Sequence, residues 1–376
     1  MSAAADNGRS GRARFGALDA LRGIAALGVA WGHFHGADIR GGAMHFAFYL
    51  LVDLFFILSG FVLAHRYLDE WLARRLKLRV FALHRFARLY PMNVYALIGV
   101  LALSLVRGVV TAPPELNGWA ALASGFETYA DGNVFTFVLT LFLAQNVGLT
   151  PLGPSWHGPS WSISVEFYAA LFLFFWIGLW RDNRNTTFVA PTLILALVCI
   201  LAVVNGEGSL AVGGHDILPW VNYGLMRGLS EIAIGILAYR VYRAIGARIE
   251  ASLAVGTLIE IVLVALAGLL LFRMPFVSHE DIFVIPLFAA LIFWLAVPRG
   301  FIAMLLETQA LRWIGKLSYS IYINHFLVIL ILPMVALPRW PLLYFSIVIA
   351  LSWLTWRWIE VPAQRAINRR LSPYIN

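Results

Sequence analysis

Apolar runs of about 20 residues, separated by short polar or basic stretches, recur along this chain. They fall at 16–36, 46–68, 84–106, 161–180, 187–205, 219–240, 252–272, 281–298, 317–338 and 341–361. A run of that length matches the hydrocarbon thickness of a bilayer when coiled as a helix. In lipid only a helix or a closed barrel satisfies the backbone, and the ten-residue alternation of a barrel is absent. The pattern predicts an all-α integral membrane bundle of about ten transmembrane helices. A further apolar run, VFTFVLTLFLAQNVGL at 134–149, is short and ends in a Pro/Gly-rich stretch. No tandem repeat or heptad is visible, although GPSW occurs at both 153–156 and 158–161.

Composition excludes the soluble alternative. Of 376 residues, 61% are hydrophobic and 13% charged, against about 45–50% and about 25% in soluble domains. The net charge of +8 follows no basic stripe, so nucleic acid is not an expected partner. The charge is instead a topology signal. With ten spans and a cytoplasmic N-terminus, 23 of the 28 Lys and Arg fall on the cytoplasmic side or at its helix ends. Only Arg40, Arg107, Arg227, Arg273 and Arg339 fall outside. Making 134–149 an eleventh span would invert this bias downstream, so that run is expected to dip into the membrane or pack on its outer side. The expected organisation is a disordered cytoplasmic tail at 1–15, a membrane domain at 16–364 and a cytoplasmic tail at 365–376. The chain is placed in the cell (inner) membrane with both termini cytoplasmic. Cys199 is the single cysteine and reads as packing.

Charge inside hydrocarbon costs about 2.5–3.5 kcal/mol per residue on insertion scales, so each intramembrane polar residue needs a reason. Arg22 and His33 are eleven residues apart in the first run, about 16 Å of helical rise and on one face. They read either as a snorkelling arginine with an interfacial histidine, or as an anion site below a neutral imidazole base. His35 lies nearer the outer surface. Asp53 must pair, with a cation on another span or as structural glue, and Ser59–Gly60 offers a close-approach face. Between Arg74 and Arg88 stand six positive residues and no acid. This is a topology or lipid signal, yet Arg85 and Arg88 stand one turn apart and suit phosphate oxygens; Pro91 is expected to kink the helix beyond them. Ser160 or Ser162 suits a helix cap, Trp156 and Trp161 an interfacial belt, and Glu166 needs a partner. Glu231 and His325 belong in the bundle interior, whereas Glu260 reads as structural. Metal binding is not expected: His33 and His35 lie about 200° apart on a helix, and no other histidines fall at paired ligand spacing.

Five segments in order, LDALRGIAALGVAWGHF (18–34), VDLFFILSGFVL (52–63), HRFARLYP (84–91), GPSWSISVEFY (158–168) and YSIYINHFLV (319–328), resemble the bacterial acyltransferase family 3 of integral-membrane acyltransferases. The resemblance covers about 16–364. It implies transfer of an acyl group, commonly acetyl, from cytoplasmic acyl-CoA to a hydroxyl of a carbohydrate, lipid-linked glycan or secondary metabolite. Acyl-CoA would be a donor substrate rather than a permanently bound cofactor. By this resemblance His33, with Arg22 and Glu166, is catalytic, and Arg85 and Arg88 serve the CoA phosphates. Asp53, Ser160, Trp161, Ser162 and His325 are assigned to the substrate, with Glu166 and the 160–162 element on the acceptor side. The doubled GPSW leaves the roles of Trp156 and His157 open. Relatives often carry an added esterase-like domain; none is expected in a sequence ending soon after its last span. A secondary transporter or exporter is the competing class, but the two halves lack its matched broken helices.

Overall fold

The computed structural model describes residues 15–36, 47–111, 133–149, 156–181, 186–212, 216–218, 221–272, 279–297, 300–335, 337–338 and 340–371. Residues 1–14 of the tail expected at 1–15, with Arg40, Arg184, Arg273, Arg299 and Arg339, lie outside the described residues. The described chain is a helical bundle, with one two-stranded antiparallel ribbon, β1 (Asp216–Leu218) and β2 (Val221–Asn222).

Each of the ten long apolar runs becomes a helix. They are α1 (Gly16–Gly36), α2 (Phe48–Leu72), α3 (Leu78–Thr111), α5 (Trp161–Leu179), α6 (Val189–Glu207), α7 (Tyr223–Ile245), α8 (Leu253–Leu271), α9 (Val284–Ala296), α11 (Gln309–Met334) and α12 (Pro341–Thr355). Shorter helices are α4 (Val134–Leu141), α10 (Phe301–Leu306) and α13 (Val361–Leu371). Among the described residues, eight helical segments are long and apolar enough to cross a membrane. α1 and α7 match them in length but carry Asp19, Arg22, His33 and His35, and Arg227 and Glu231, respectively. α4 has eight residues, about 12 Å of rise, far short of the roughly 30 Å hydrocarbon core. It is capped by Asn133, whose side chain accepts from the Thr136 backbone. α3 runs through Pro91 as one helix.

Small residues set the closest helix approaches. A Cβ on Gly60 of α2 would stand 2.1 Å from the Ile232 carbonyl oxygen of α7, and one on Gly235 would meet the Ile57 carbonyl at 2.0 Å. α1 and α11 make an equally intimate pair, where a Cβ on Gly315 would lie 2.3 Å from the Asp19 carbonyl. These two contacts bring the polar faces of α1, α2, α7 and α11 to a common centre. At one end of the bundle the basic termini converge: Arg181 donates to the Trp71 carbonyl, Arg243 stands 3.9 Å from Asp69, and the Arg312 side chain lies beside Gly16. Residues 365–371, expected in a tail, continue α13 and share its contacts with α3.

Glu260 is buried in α8 and accepts hydrogen bonds from the backbone of Ile302 (2.7 Å) and Ala303 (3.2 Å). It thereby satisfies the exposed N–H groups at the start of α10 from another helix. Cys199 is buried among apolar neighbours.

Candidate active site

Two adjoining cavities occupy the centre where α1, α2, α3, α5 and α11 meet. The larger, about 250 Å³, opens toward the basic end and is lined by Arg22, Arg66, Arg85 and Arg88, with Glu166 the one carboxylate on its wall. Arg85 and Arg88 reach the same cavity because a three-residue step keeps both on one face of α3. Arg85 donates to Glu166 at 2.5 Å, and the Ser59 hydroxyl donates to the same carboxylate oxygen at 2.5 Å. The Nε of Arg85 is buried with no hydrogen-bond partner. Arg88 pairs with Glu360, whose other oxygen accepts from Ser320 at 2.7 Å. Arg22 stands 4.0 Å from Asp19. Four guanidiniums against one lining carboxylate among the described residues leave this wall net positive. Three of the four stand beside carboxylates: Arg22 by Asp19, Arg85 by Glu166 and Arg88 by Glu360.

The smaller cavity, about 110 Å³, is lined by His33, Trp161, Arg227, Phe48, Tyr49 and Tyr322 among others. His33 Nδ1 lies 3.0 Å from the Val29 carbonyl one turn back. A carbonyl accepts only, so Nδ1 carries the proton and Nε2 keeps the lone pair a base needs. The His325 ring packs 4.9 Å from the His33 ring. It is fully buried, and neither of its nitrogens has a partner at hydrogen-bonding geometry.

The residues singled out from the sequence divide between these cavities. Arg22, Arg85, Arg88, Ser162 and Glu166 line the larger; His33 and Trp161 line the smaller. Glu166 thus stands among the arginines of the larger cavity and not in the smaller one with His33. Asp53 lines neither cavity. It grips Arg227 in a forked pair, Nε to Oδ1 at 2.9 Å and Nη2 to Oδ2 at 2.6 Å. Arg227 spends its remaining donors on the Val212 and Tyr49 carbonyls, stacks over Trp161, and has Glu231 3.5 Å away. Asp53 thus ties α2 to α7 as a buried partner of Arg227. Ser160 is buried away from both cavities: its hydroxyl donates to the His157 carbonyl, and its own carbonyl accepts from Gln145. Neither Ser160 nor Ser162 caps α5 with its side chain, because both hydroxyls turn back to carbonyls of the preceding turn. His157 lies buried 3.1 Å from the Ile323 carbonyl, and Trp156 donates to Thr136.

Sequence reading missed Tyr319, Tyr322, Glu360, Gln364 and Asn368. Tyr319 donates to the Leu89 carbonyl under the Arg88 guanidinium. Glu360 sits at the end of a π turn, Trp356–Glu360, that continues α12; such turns are frequent at functional sites. An acid inside the apolar run at 341–361 was the available signal. Gln364 and Asn368, four residues apart on the half-buried face of α13, line the larger cavity at its basic mouth.

Residues 15–357 match the profile of a family described as an acyltransferase domain, acyltransferase family 3. The chain is 27% identical over 366 residues to a peptidoglycan O-acetyltransferase OatA of Listeria monocytogenes, covering 93% of this chain and 55% of that protein. It is 24% identical over 331 residues to an O-acetyltransferase OatA of Staphylococcus aureus, covering 83% of this chain and 50% of the relative. Protein 2 in the picA locus of Rhizobium radiobacter is 32% identical over 198 residues, 51% of this chain and 94% of that protein. The chain spans about half the length of the OatA relatives. No solved structure gives a significant match. A family profile that runs through both cavities and all five motif segments makes this chain a member of acyltransferase family 3, the membrane acyltransferases.

Proposed function

We propose that this chain is an acyl-CoA-dependent O-acetyltransferase of the cell (inner) membrane, with ten spans and both termini cytoplasmic. It moves an acetyl group to a hydroxyl of a carbohydrate acceptor at or beyond the other face. One observation carries this reading: a net-positive cavity at the basic end adjoins a second cavity that holds a histidine with a free Nε2. The nucleotide phosphates of the donor are drawn to Arg22, Arg66, Arg85 and Arg88, where charge-assisted bonds are strongest. The pantetheine arm carries the thioester inward along α1 toward His33. The acceptor hydroxyl oxygen attacks the thioester carbonyl carbon as His33 Nε2 takes its proton. The new C–O bond forms, the C–S bond breaks, and the imidazolium returns the proton to the leaving thiolate. A glycan acceptor accords with the names of the relatives, one of which is a peptidoglycan O-acetyltransferase.

Membranes containing the full chain are supplied with acetyl-CoA labelled in the acetyl group, and covalent label is followed in the glycan and lipid fractions. Wild type transfers label. His33→Ala inserts normally and loses about 10²–10⁴-fold in turnover. Full activity in His33→Ala removes the histidine base, and movement of unmodified acceptor without label supports an exporter instead.

A further inference from the structure

The larger and smaller cavities are separate volumes, yet two residues line both: Val52 of α2 and Tyr322 of α11. Everything else assigned to the donor lies on one side of this pair, and His33 lies on the other. Both residues are buried. Tyr322 is held firmly. Its hydroxyl lies 2.8 Å from the Ser162 hydroxyl and donates to the Pro159 carbonyl at 3.1 Å, and its ring stands edge-on to Phe55 with centroids 5.6 Å apart. The Tyr322 ring cannot swing without losing these contacts.

We infer that Val52 and Tyr322 are the specificity-determining residues for the acyl group and that they restrict it to acetyl size. The inference rests on the acyl-CoA reading above. A thioester arriving from the arginine cavity must meet a hydroxyl beside His33, so its carbonyl carbon reacts where the two volumes touch. As the C–O bond forms and the C–S bond breaks, with the hydroxyl proton passing to His33 and then to the thiolate, the acyl methyl lies against Val52 and the Tyr322 ring. A two-carbon group fits beside a fixed tyrosine. Each further methylene must enter the smaller cavity or displace a side chain, and one methylene in a close-fitting apolar site changes discrimination by about tenfold or more.

The test does not need the acceptor. The purified full chain in nanodiscs is titrated with CoA, S-ethyl-CoA, S-butyl-CoA and S-hexyl-CoA, thioethers that cannot react. Wild type is expected to bind S-ethyl-CoA at least about tenfold more tightly than S-hexyl-CoA. Tyr322→Ala and Val52→Ala each shrink that ratio toward one or reverse it, while affinity for CoA itself stays within about twofold. Tyr322→Leu takes the place of Tyr322→Ala if the latter does not fold, and Val52→Phe, which enlarges that side chain, weakens S-ethyl-CoA selectively. Equal binding of all chain lengths by wild type overturns the inference, as does an unchanged ratio in the enlarged variants. Absence of any CoA binding by wild type overturns the donor reading itself, a separate result.

Discussion

Two clusters of arginine and carboxylate lie buried in this bundle, and they differ in what their donors do. Arg227 gives Nε and both Nη groups to Asp53, the Val212 carbonyl and the Tyr49 carbonyl, with Trp161 beneath its face. Each of its three nitrogens has a partner, and although Arg227 borders the smaller cavity the cluster acts as a clamp joining α2 to α7. Arg85 gives Nη2 to Glu166 but leaves Nε unpartnered, and with Arg22, Arg66 and Arg88 it faces an open volume. A buried ion pair is thus no evidence of a site by itself. Several guanidiniums on the wall of one cavity are better evidence, because an anionic ligand there can make charge-assisted bonds with more than one of them.

The difference is sharpest in substitutions that break the clamp. Asp53→Ala removes the forked partner of the buried Arg227 guanidinium and leaves only Glu231, 3.5 Å away, beside it. Breaking such a pair costs up to about 3–5 kcal/mol. The expected result is loss of folded protein from detergent extracts, read by size-exclusion profile and thermal unfolding. Arg227→Lys should fare little better, since an ammonium cannot reproduce the fork. Normal stability for Asp53→Ala would dissolve the distinction between clamp and site.

In the open cluster the effect moves from stability to donor binding. Arg85→Gln and Arg88→Gln should weaken acetyl-CoA by roughly tenfold or more, the size of one lost bond to a charged group, about 1.5–3 kcal/mol. Arg88→Gln also strips the buried Glu360 of its cation and should lower the unfolding temperature, so binding is compared on the folded fraction. Glu360→Gln separates pairing from binding. It keeps the Ser320 bond geometrically possible, removes the anion that orients Arg88, and should raise KM for acetyl-CoA by less than Arg88→Gln does. Equal effects would make Glu360 a donor contact in its own right.

The smallest effect belongs to a carboxylate with neither role. Glu260 serves two backbone N–H groups of α10, so Glu260→Ala should cost about 1–2 kcal/mol of stability and leave KM for acetyl-CoA alone. Glu260→Gln retains an accepting oxygen and should recover part of the loss.

Much of this was legible one segment at a time. The long apolar helices, the Arg85–Arg88 pair, the need of Asp53 for a cation, and the structural role of Glu260 follow from helical geometry and the penalty on buried charge. The side of Glu166 was not legible, because facing Arg85 or facing His33 depends on the rotation of α5 against α1 and α3. The Ser160 and Ser162 hydroxyls misled for a local reason: a carbonyl of the preceding turn lay within reach and outcompeted the cap. Gln364 and Asn368 gave no signal, since half-buried amides beyond the last apolar run look like any surface helix.

Hydropathy along the chain determined the helices, the direction of the charge gradient and the family motifs, because transfer into lipid is decided residue by residue within one span. The partner of each charge and the meeting of two cavities at Val52 and Tyr322 were decided only by tertiary structure. Val52 and Tyr322 are 270 positions apart in the chain. What brings them to the same two cavities is α1, which packs against both α2 and α11, the latter at a close approach allowed by Gly315. Packing of that kind depends on surfaces formed after each helix exists, and no single segment encodes it.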